Sequence, residues 1–235
     1  MGEGVKGTVA LLALLLSGSW CRADALPAGA VEHLPALIAV QARIWPDAPM
    51  PSFLAAQIEQ ESCISLKHSK CWNPRAELKT SREYGFGIGQ ITTAYRADGS
   101  VRFNKFEELR EQYASLRAWS WENRYDITYQ LTAIVEMDRG IFRRVAGAAS
   151  SVERVAFTLA AYNGGESGVR QDRLLCQNTD GCDRSRWFAH VERTSLKTKK
   201  PNPGYRLSAF EINREYVTNV MHVRRPKYVS YFRGQ

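Results

Sequence analysis

The sequence is short of several things, and each shortage narrows what the protein can be. Beyond residue 25 no stretch approaches the roughly 18 consecutive apolar residues of a membrane span, so no spanning segment is expected there. Cysteine is scarce, five in 235 residues. Neither Cys63 to Cys71 nor Cys176 to Cys182 has the C-x₂-C spacing common in zinc sites; zinc, with His68 as a third ligand, is the reading this spacing disfavours. The alternating glycines Gly85, Gly87 and Gly89 lack the strand-before, helix-after context of a nucleotide fingerprint. No internal repeat, no low-complexity linker and no convincing set of alternating strands is found, so a mainly α fold is expected. The length suits one well-buried domain with extras, whereas two independent domains would be cramped.

What is present begins with an address. Lys6, the apolar run Val9–Leu16 and the small-x-small site Ala23-Asp24-Ala25 read as a secretory signal over residues 1–25, with Leu26 as the new N-terminus. Trp20 is too bulky to precede a lipid-bearing Cys21. The leader holds two charges of each sign, so the net charge of +8 belongs to the working chain. It implies attraction to an anionic partner: cell-wall polymer, lipid head groups or, less favoured, nucleic acid, against the plain alternative of an ordinary basic surface. Four cysteines remain, and an oxidising compartment pairs them. Of three pairings, Cys63–Cys71 and Cys176–Cys182 are favoured because each closes a short polar segment.

Residues 26–50 read as an N-terminal helix, with Pro35 in its first turn, followed by a Pro-rich corner; residues 51–235 form the main domain, with insertions at about 93–126 and 166–209. If Ser52 caps the next helix, Leu54, Ile58 and Glu61 continue one apolar stripe while Glu59 points to the wetter side. A carboxylate on that stripe needs partners, a metal, or a retained proton, and a nearby helix C-terminus also disfavours the anion. A protonated Glu61 in a cleft is what a general acid requires. The glycine run Gly85–Gly89 then signals close backbone approach to another element or to a ligand. In 93–126 a helix is expected near Phe106–Leu116, and the aromatics divide between satellite core, the favoured reading, and a sugar-stacking platform.

Ile127–Val145 is the clearest helix and the expected scaffold. Ser150-Ser151-Val152-Glu153 is a capping box for a helix with Val152, Val155, Ala156, Leu159 and Ala160 on one face. That helix delivers Tyr162-Asn163-Gly164-Gly165 at its end, where glycine stops it. Residues 166–209 read as an excursion whose basic segment Lys197-Thr198-Lys199-Lys200 is most simply a solvated loop. A last helix starts near Ile212, carries Tyr216 and Val217, and ends or kinks at Pro226.

In order and spacing, Gln60-Glu61-Ser62, the run Ser81 to Gln90-Ile91, Ala161-Tyr162-Asn163-Gly164-Gly165 and Tyr216-Val217 resemble the soluble lytic transglycosylases, which share the goose-type lysozyme fold. The resemblance covers roughly residues 50–220. It implies a single lysozyme-like (SLT) helical domain with loop excursions, periplasmic location, and cleavage of the bond between N-acetylmuramic acid and N-acetylglucosamine in peptidoglycan strands. It implies Glu61 as the one catalytic acid and base and Ser81 as the serine facing the reacting sugar. Gln90, Tyr162 and Asn163 become cleft residues, with the Tyr162 hydroxyl able to reach the Glu61 carboxyl, and Ile88 and Tyr216 support them. No cofactor, metal or nucleic-acid partner is implied. Most glycosidases use two carboxylates; here the substrate's acetamido oxygen would stand in for one, and the sugar's 6-hydroxyl would close a 1,6-anhydro ring.

The sequence departs from that family's pattern in three places. The Cys63–Cys71 segment lengthens the link from Glu61 to Ser81. Ile212 stands where the family has a glutamate four residues before the tyrosine, and Glu211 and Glu215 flank it out of register. Glu83 lies where many relatives have an apolar residue. As a second carboxylate in the cleft, Glu83 could hold a water and give a hydrolytic muramidase, although a solvated surface glutamate is the favoured reading. A different class stays open too: a non-catalytic wall-binding part of a secretion or phage-related assembly.

Overall fold

The computed structural model describes residues 26–63, 65–201 and 206–233; the expected leader, residues 1–25, lies outside them. Helix α1 (Ala28–Ile44) leads to α2 (Ser52–Ser62), and a four-stranded antiparallel sheet follows: β1 (Glu77–Lys79), β2 (Glu83–Phe86), β3 (Ile91–Tyr95) and β4 (Val101–Asn104), in that order. Then come α3 (Lys105–Gln112), α4 (Ile127–Arg144), α5 (Ser151–Gly164), α6 (Glu166–Gln177) and α7 (Ala209–Thr218). A π-helical turn, Asn219–Arg224, and a 3₁₀ stretch, Arg225–Phe232, continue from α7. Among the described residues no helix is long and apolar enough to cross a membrane.

The fold is mainly α, as the patterning predicts, and α4 is its scaffold. Leu131, Ile134, Val135 and Ile141 lie on its buried side, Asp126 caps its first amides, and it packs against both α1 and α5. In α5 the Ser150 hydroxyl accepts from the Glu153 amide at 3.2 Å, but the box is not reciprocal. The Glu153 carboxylate turns instead to the amides of Trp187 and Phe188, at 2.6 and 3.2 Å, and anchors the 182–195 segment. The α5 alanines Ala156, Ala160 and Ala161 are buried, which lets α4, α6 and α7 approach closely, whereas Val152 in the first turn is exposed and leaves the expected face. Both expected disulfides form, Cys63–Cys71 and Cys176–Cys182.

Four expectations need correction. The Ser52 side chain makes no cap; the residue at the cap position is Pro51, and Ser52 opens the helix as a buried residue. Pro35 lies two turns inside α1, on the exposed side, where water can take the carbonyl its missing N–H leaves free. The sheet was not expected: its strands are three to five residues long, too short to display alternation. Finally, 166–209 is not a bare excursion but begins with the twelve-residue α6, which turns Val169, Asp172 and Cys176 inward. Asp172 escapes an apolar template because its partners, Arg214 at 2.8 Å and Lys197 at 3.4 Å, are remote in sequence.

The sheet sorts its side chains by parity. Tyr84, Phe86 and Ile91 pack with Phe106, Leu109, Leu116 and Trp119 into a second apolar cluster, where the Phe106 and Trp119 rings meet edge-to-face at 4.8 Å. The 93–126 aromatics are thus chiefly core. Glu83, Gly85 and Thr92 stand on the opposite side, toward α2.

Candidate active site

The C-terminal end of α2 is pinned from several directions. The Ser62 hydroxyl donates to the Ile58 carbonyl at 2.7 Å and accepts from the Trp72 amide at 2.9 Å, while Cys63 is held to Cys71. Glu61 therefore projects from a fixed last turn. Its Oε1 accepts from the Tyr216 hydroxyl at 2.6 Å. Tyr216 is placed by α7, whose start is fixed by a reciprocal capping box between Ser208 and Glu211. One turn earlier on α7, Asn213 is buried and donates to the Ala160 carbonyl at 2.9 Å and to Asn163 Oδ1 at 3.0 Å. A single helix thus orients both Glu61 and Asn163. Ile212, where the resembled family has glutamate, faces the neighbouring cavity.

The glycine run forms the end of β2 and the turn into β3. Gly87 has φ +76° and packs so closely on Gln130 of α4 that a Cβ would overlap that amide; at Gly89 a Cβ would fall 2.7 Å from Ile134 Cγ1 and 3.2 Å from the Tyr162 hydroxyl. The close approach is therefore to α4 and α5. Gln130 secures it, accepting from the Ile88 amide and donating to the carbonyls of Pro74 and Arg124, each at 2.9 Å. The Tyr162 hydroxyl donates to the Gly89 carbonyl at 2.9 Å, and the Gln90 amide to the Gly87 carbonyl at 2.8 Å.

Between the hairpin and the helix ends lies a cavity of about 300 Å³ lined by Glu61, Glu83, Gly85, Gln90, Thr92, Tyr162 and Asn163. It shares Glu83 and Asn163 with two larger cavities, of about 920 and 880 Å³, so the three form one groove across the sheet edge. The structure thus brings Glu61, Glu83, Gln90, Tyr162 and Asn163 together. Ser81 is exposed on the β1–β2 turn and lines the 920 Å³ cavity, one step from the Glu61 cavity. Ile88 is fully buried in the main core and lines none of these three cavities. The hydroxyl on the Glu61 carboxyl belongs to Tyr216, not to Tyr162, whose own hydroxyl is committed to the hairpin.

Burial pushes the Glu61 carboxyl up to about 7, partly opposed by the Tyr216 hydrogen bond. Glu61 is partly exposed as a whole residue, so its carboxyl combines desolvation with access to the groove. Behind it, Asp138 of α4 is completely buried. Burial raises this second carboxyl well above the ordinary range, the hydrogen bond from Gln57 opposes the shift, and the Glu61 charge adds to it. Gln57 Nε2 donates to Asp138 Oδ1 at 3.4 Å, leaving Gln57 Oε1 and Asp138 Oδ2 buried without partners. A neutral Asp138 has an O–H to offer and Gln57 a carbonyl to receive it, so the un-ionised pair suits the surroundings. Burial also raises Tyr162 and Tyr216 well above the usual phenol value, with the Glu61 charge next in effect, so both hydroxyls remain donors.

Glu59 overturns its sequence reading. It is 2% exposed and receives Lys227 Nζ at 2.8 Å, the Tyr228 hydroxyl, and the Arg224 guanidinium at 3.7 Å. The wetter side of α2 is covered by the C-terminal turns. Sequence reasoning also passed over Gln57, Gln130, Asp138 and Asn213; polar residues on otherwise apolar helix faces were the available signal. Among the described residues, no three His, Cys, Asp or Glu side chains gather as metal ligands.

No model of a known protein family matches this chain, and neither does any curated protein.

Proposed function

We propose that the protein is an exported, periplasmic lytic transglycosylase of the goose-type lysozyme-like class, cleaving the N-acetylmuramic acid to N-acetylglucosamine bond of peptidoglycan. The observation that carries this reading is a carboxyl with pKa near 7, held by one tyrosine on the floor of a groove. A group poised there can give a proton and take one back near neutral pH, which a single acid and base must do. The two disulfides fit an oxidising compartment.

In the reaction, protonated Glu61 donates to the glycosidic oxygen as the bond to the anomeric carbon breaks. The substrate's acetamido oxygen takes up the positive charge at that carbon. Ionised Glu61, held by the Tyr216 hydroxyl, then accepts the proton of the sugar's 6-hydroxyl as that oxygen bonds to the anomeric carbon and displaces the acetamido oxygen, whose neutral amide is restored. The product ends in a 1,6-anhydro ring, no water is consumed, and Glu61 regains its proton.

A second reading has its own support. Glu83 lines the Glu61 cavity, where a second carboxylate could direct a water and make the protein a hydrolytic muramidase. Mass analysis of digested peptidoglycan separates the two: transglycosylation predicts fragments one water lighter than the hydrolytic ones, without a reducible end. Full-mass reducing fragments would establish the muramidase, and no release by the folded protein would remove both.

A further inference from the structure

The larger cavity beside Glu61 has a charge pattern that the proposed bond cleavage does not use. It measures about 920 Å³ and is walled by three stretches remote in sequence: Arg82 on the β1–β2 turn, Arg96 and Arg102 around the β3–β4 turn, and Lys197 ahead of α7. Among the described residues, one lining carboxylate, Glu83, stands against these four cations. The guanidinium of Arg96 is given to neutral acceptors, the Ser100 hydroxyl at 3.3 Å and the Val101 carbonyl at 2.7 Å, while Arg102 lies over the Phe103 ring at 5.2 Å. None of these contacts cancels a charge.

Lys197 is built into this wall rather than left in a solvated loop. Its ammonium crosses Gly164 and Gly168, where an added Cβ would fall 3.1 Å from Cε and 2.7 Å from Nζ respectively. It meets Asp172 at 3.4 Å, but that buried carboxylate already receives Arg214 at 2.8 Å. One anion between two cations leaves a net positive charge at the cavity edge. The α7 N-terminus, which also borders the cavity, is closed by Ser208 and Glu211, so the attraction comes from side chains.

We propose that this arm of the groove binds carboxylates carried by the glycan, so that the protein selects acid-bearing strands over neutral ones; the inference rests on the glycan-cleaving reading of the Glu61 cavity. A guanidinium fork suits a carboxylate, and several like charges around a concave surface focus their field on it. Two parts of a peptidoglycan strand carry such groups: the muramic lactyl acid, free where its peptide is absent, and the peptide itself.

The test measures Kd on Glu61→Gln protein, which holds strands uncut, for three ligands of equal sugar length. These are peptide-bearing strand fragments, the same fragments stripped of peptide by an amidase, and neutral N-acetylglucosamine oligomers. Acid-bearing strands are expected to bind about tenfold tighter than the neutral oligomer, about 1.4 kcal/mol, with the advantage shrinking as salt rises. Tighter binding of the peptide-bearing form assigns the arm to peptide carboxylates, tighter binding of the stripped form assigns it to the lactyl acid, and equal binding of both acid forms means that the arm takes either carboxylate. In the Arg82→Ala/Arg102→Ala double variant the advantage should fall to about twofold or less, and the corresponding double Lys variant should retain part of it. Equal affinity for all three ligands, or an advantage surviving both the double Ala variant and Lys197→Met, overturns the proposal. Discrimination without any wild-type cleavage would leave the arm standing and remove the catalytic reading, whereas cleavage without discrimination would remove only the arm.

Discussion

Helix α2 faces the C-terminal turns on one side and the β2–β3 hairpin on the other, and each side holds one glutamate. Glu59 sits among Lys227, Arg224 and Tyr228, so its negative charge is compensated and its role is to fasten the chain end to the helix. Among the described residues no cation hydrogen-bonds or ion-pairs with Glu61; a neutral tyrosine holds it, and a second carboxyl, Asp138, lies behind it. The same side chain, two positions along one helix, is ion-paired where cations surround it and has its carboxyl raised to about 7 where burial acts without them. What separates the two is the company brought by α4, α7 and the C-terminal turns, none of it close in sequence.

The comparison breaks most sharply at Glu61. Glu61→Gln should lower cleavage by about 10³-fold or more, with the fold unchanged by circular dichroism. Its counterpart is Glu59→Ala, which strands buried cations; chemical unfolding should show a loss of about 3 kcal/mol. Stability of Glu61→Gln should move the other way. The Glu61 carboxyl is raised from 4.5 to about 7, so the folded state keeps a proton that the unfolded chain releases, and the wild type loses stability as pH climbs through that window. The variant should therefore gain about 2–3 kcal/mol over wild type above pH 7 and about nothing below pH 4, read from melting curves across pH.

Tyr216→Phe removes the donor that favours the Glu61 anion. The alkaline limb of the pH–rate profile should shift upward and stability should change by about 1 kcal/mol, whereas Tyr162→Phe should loosen the hairpin and leave that limb in place. The smallest effect belongs to Asp138→Asn. If Asp138 is neutral, the amide preserves its shape and charge state, and the pH–rate profile stays where it is. A downward shift of the limb would mean that an Asp138 anion had been raising Glu61.

Where neighbours in sequence are also neighbours in space, the sequence was informative. The α4 stripe, the Ser150 cap, both disulfides and the position of Glu61 on an apolar face rest on spacings within one or two turns. The failures share a different cause. Glu59 looked solvated because its partners lie about 170 residues on, at Lys227 and Tyr228. Helix α6 looked like loop because its buried Asp172 is answered by Arg214 and Lys197. The family resemblance puts the Tyr162 hydroxyl within reach of the carboxyl; only the arrangement of α7 shows that Tyr216 has that place. The short, glycine-bearing strands carried too little alternation to be seen.

The central claim is that its surroundings make Glu61 an acid near neutral pH, and the most direct measurement is the carboxyl's own titration. In wild-type protein with ¹³C-labelled glutamate, assigned by comparison with Glu61→Gln, the Glu61 side-chain carboxyl resonance should titrate with a midpoint near 7. A midpoint at the ordinary glutamate value of about 4.5 would contradict the account.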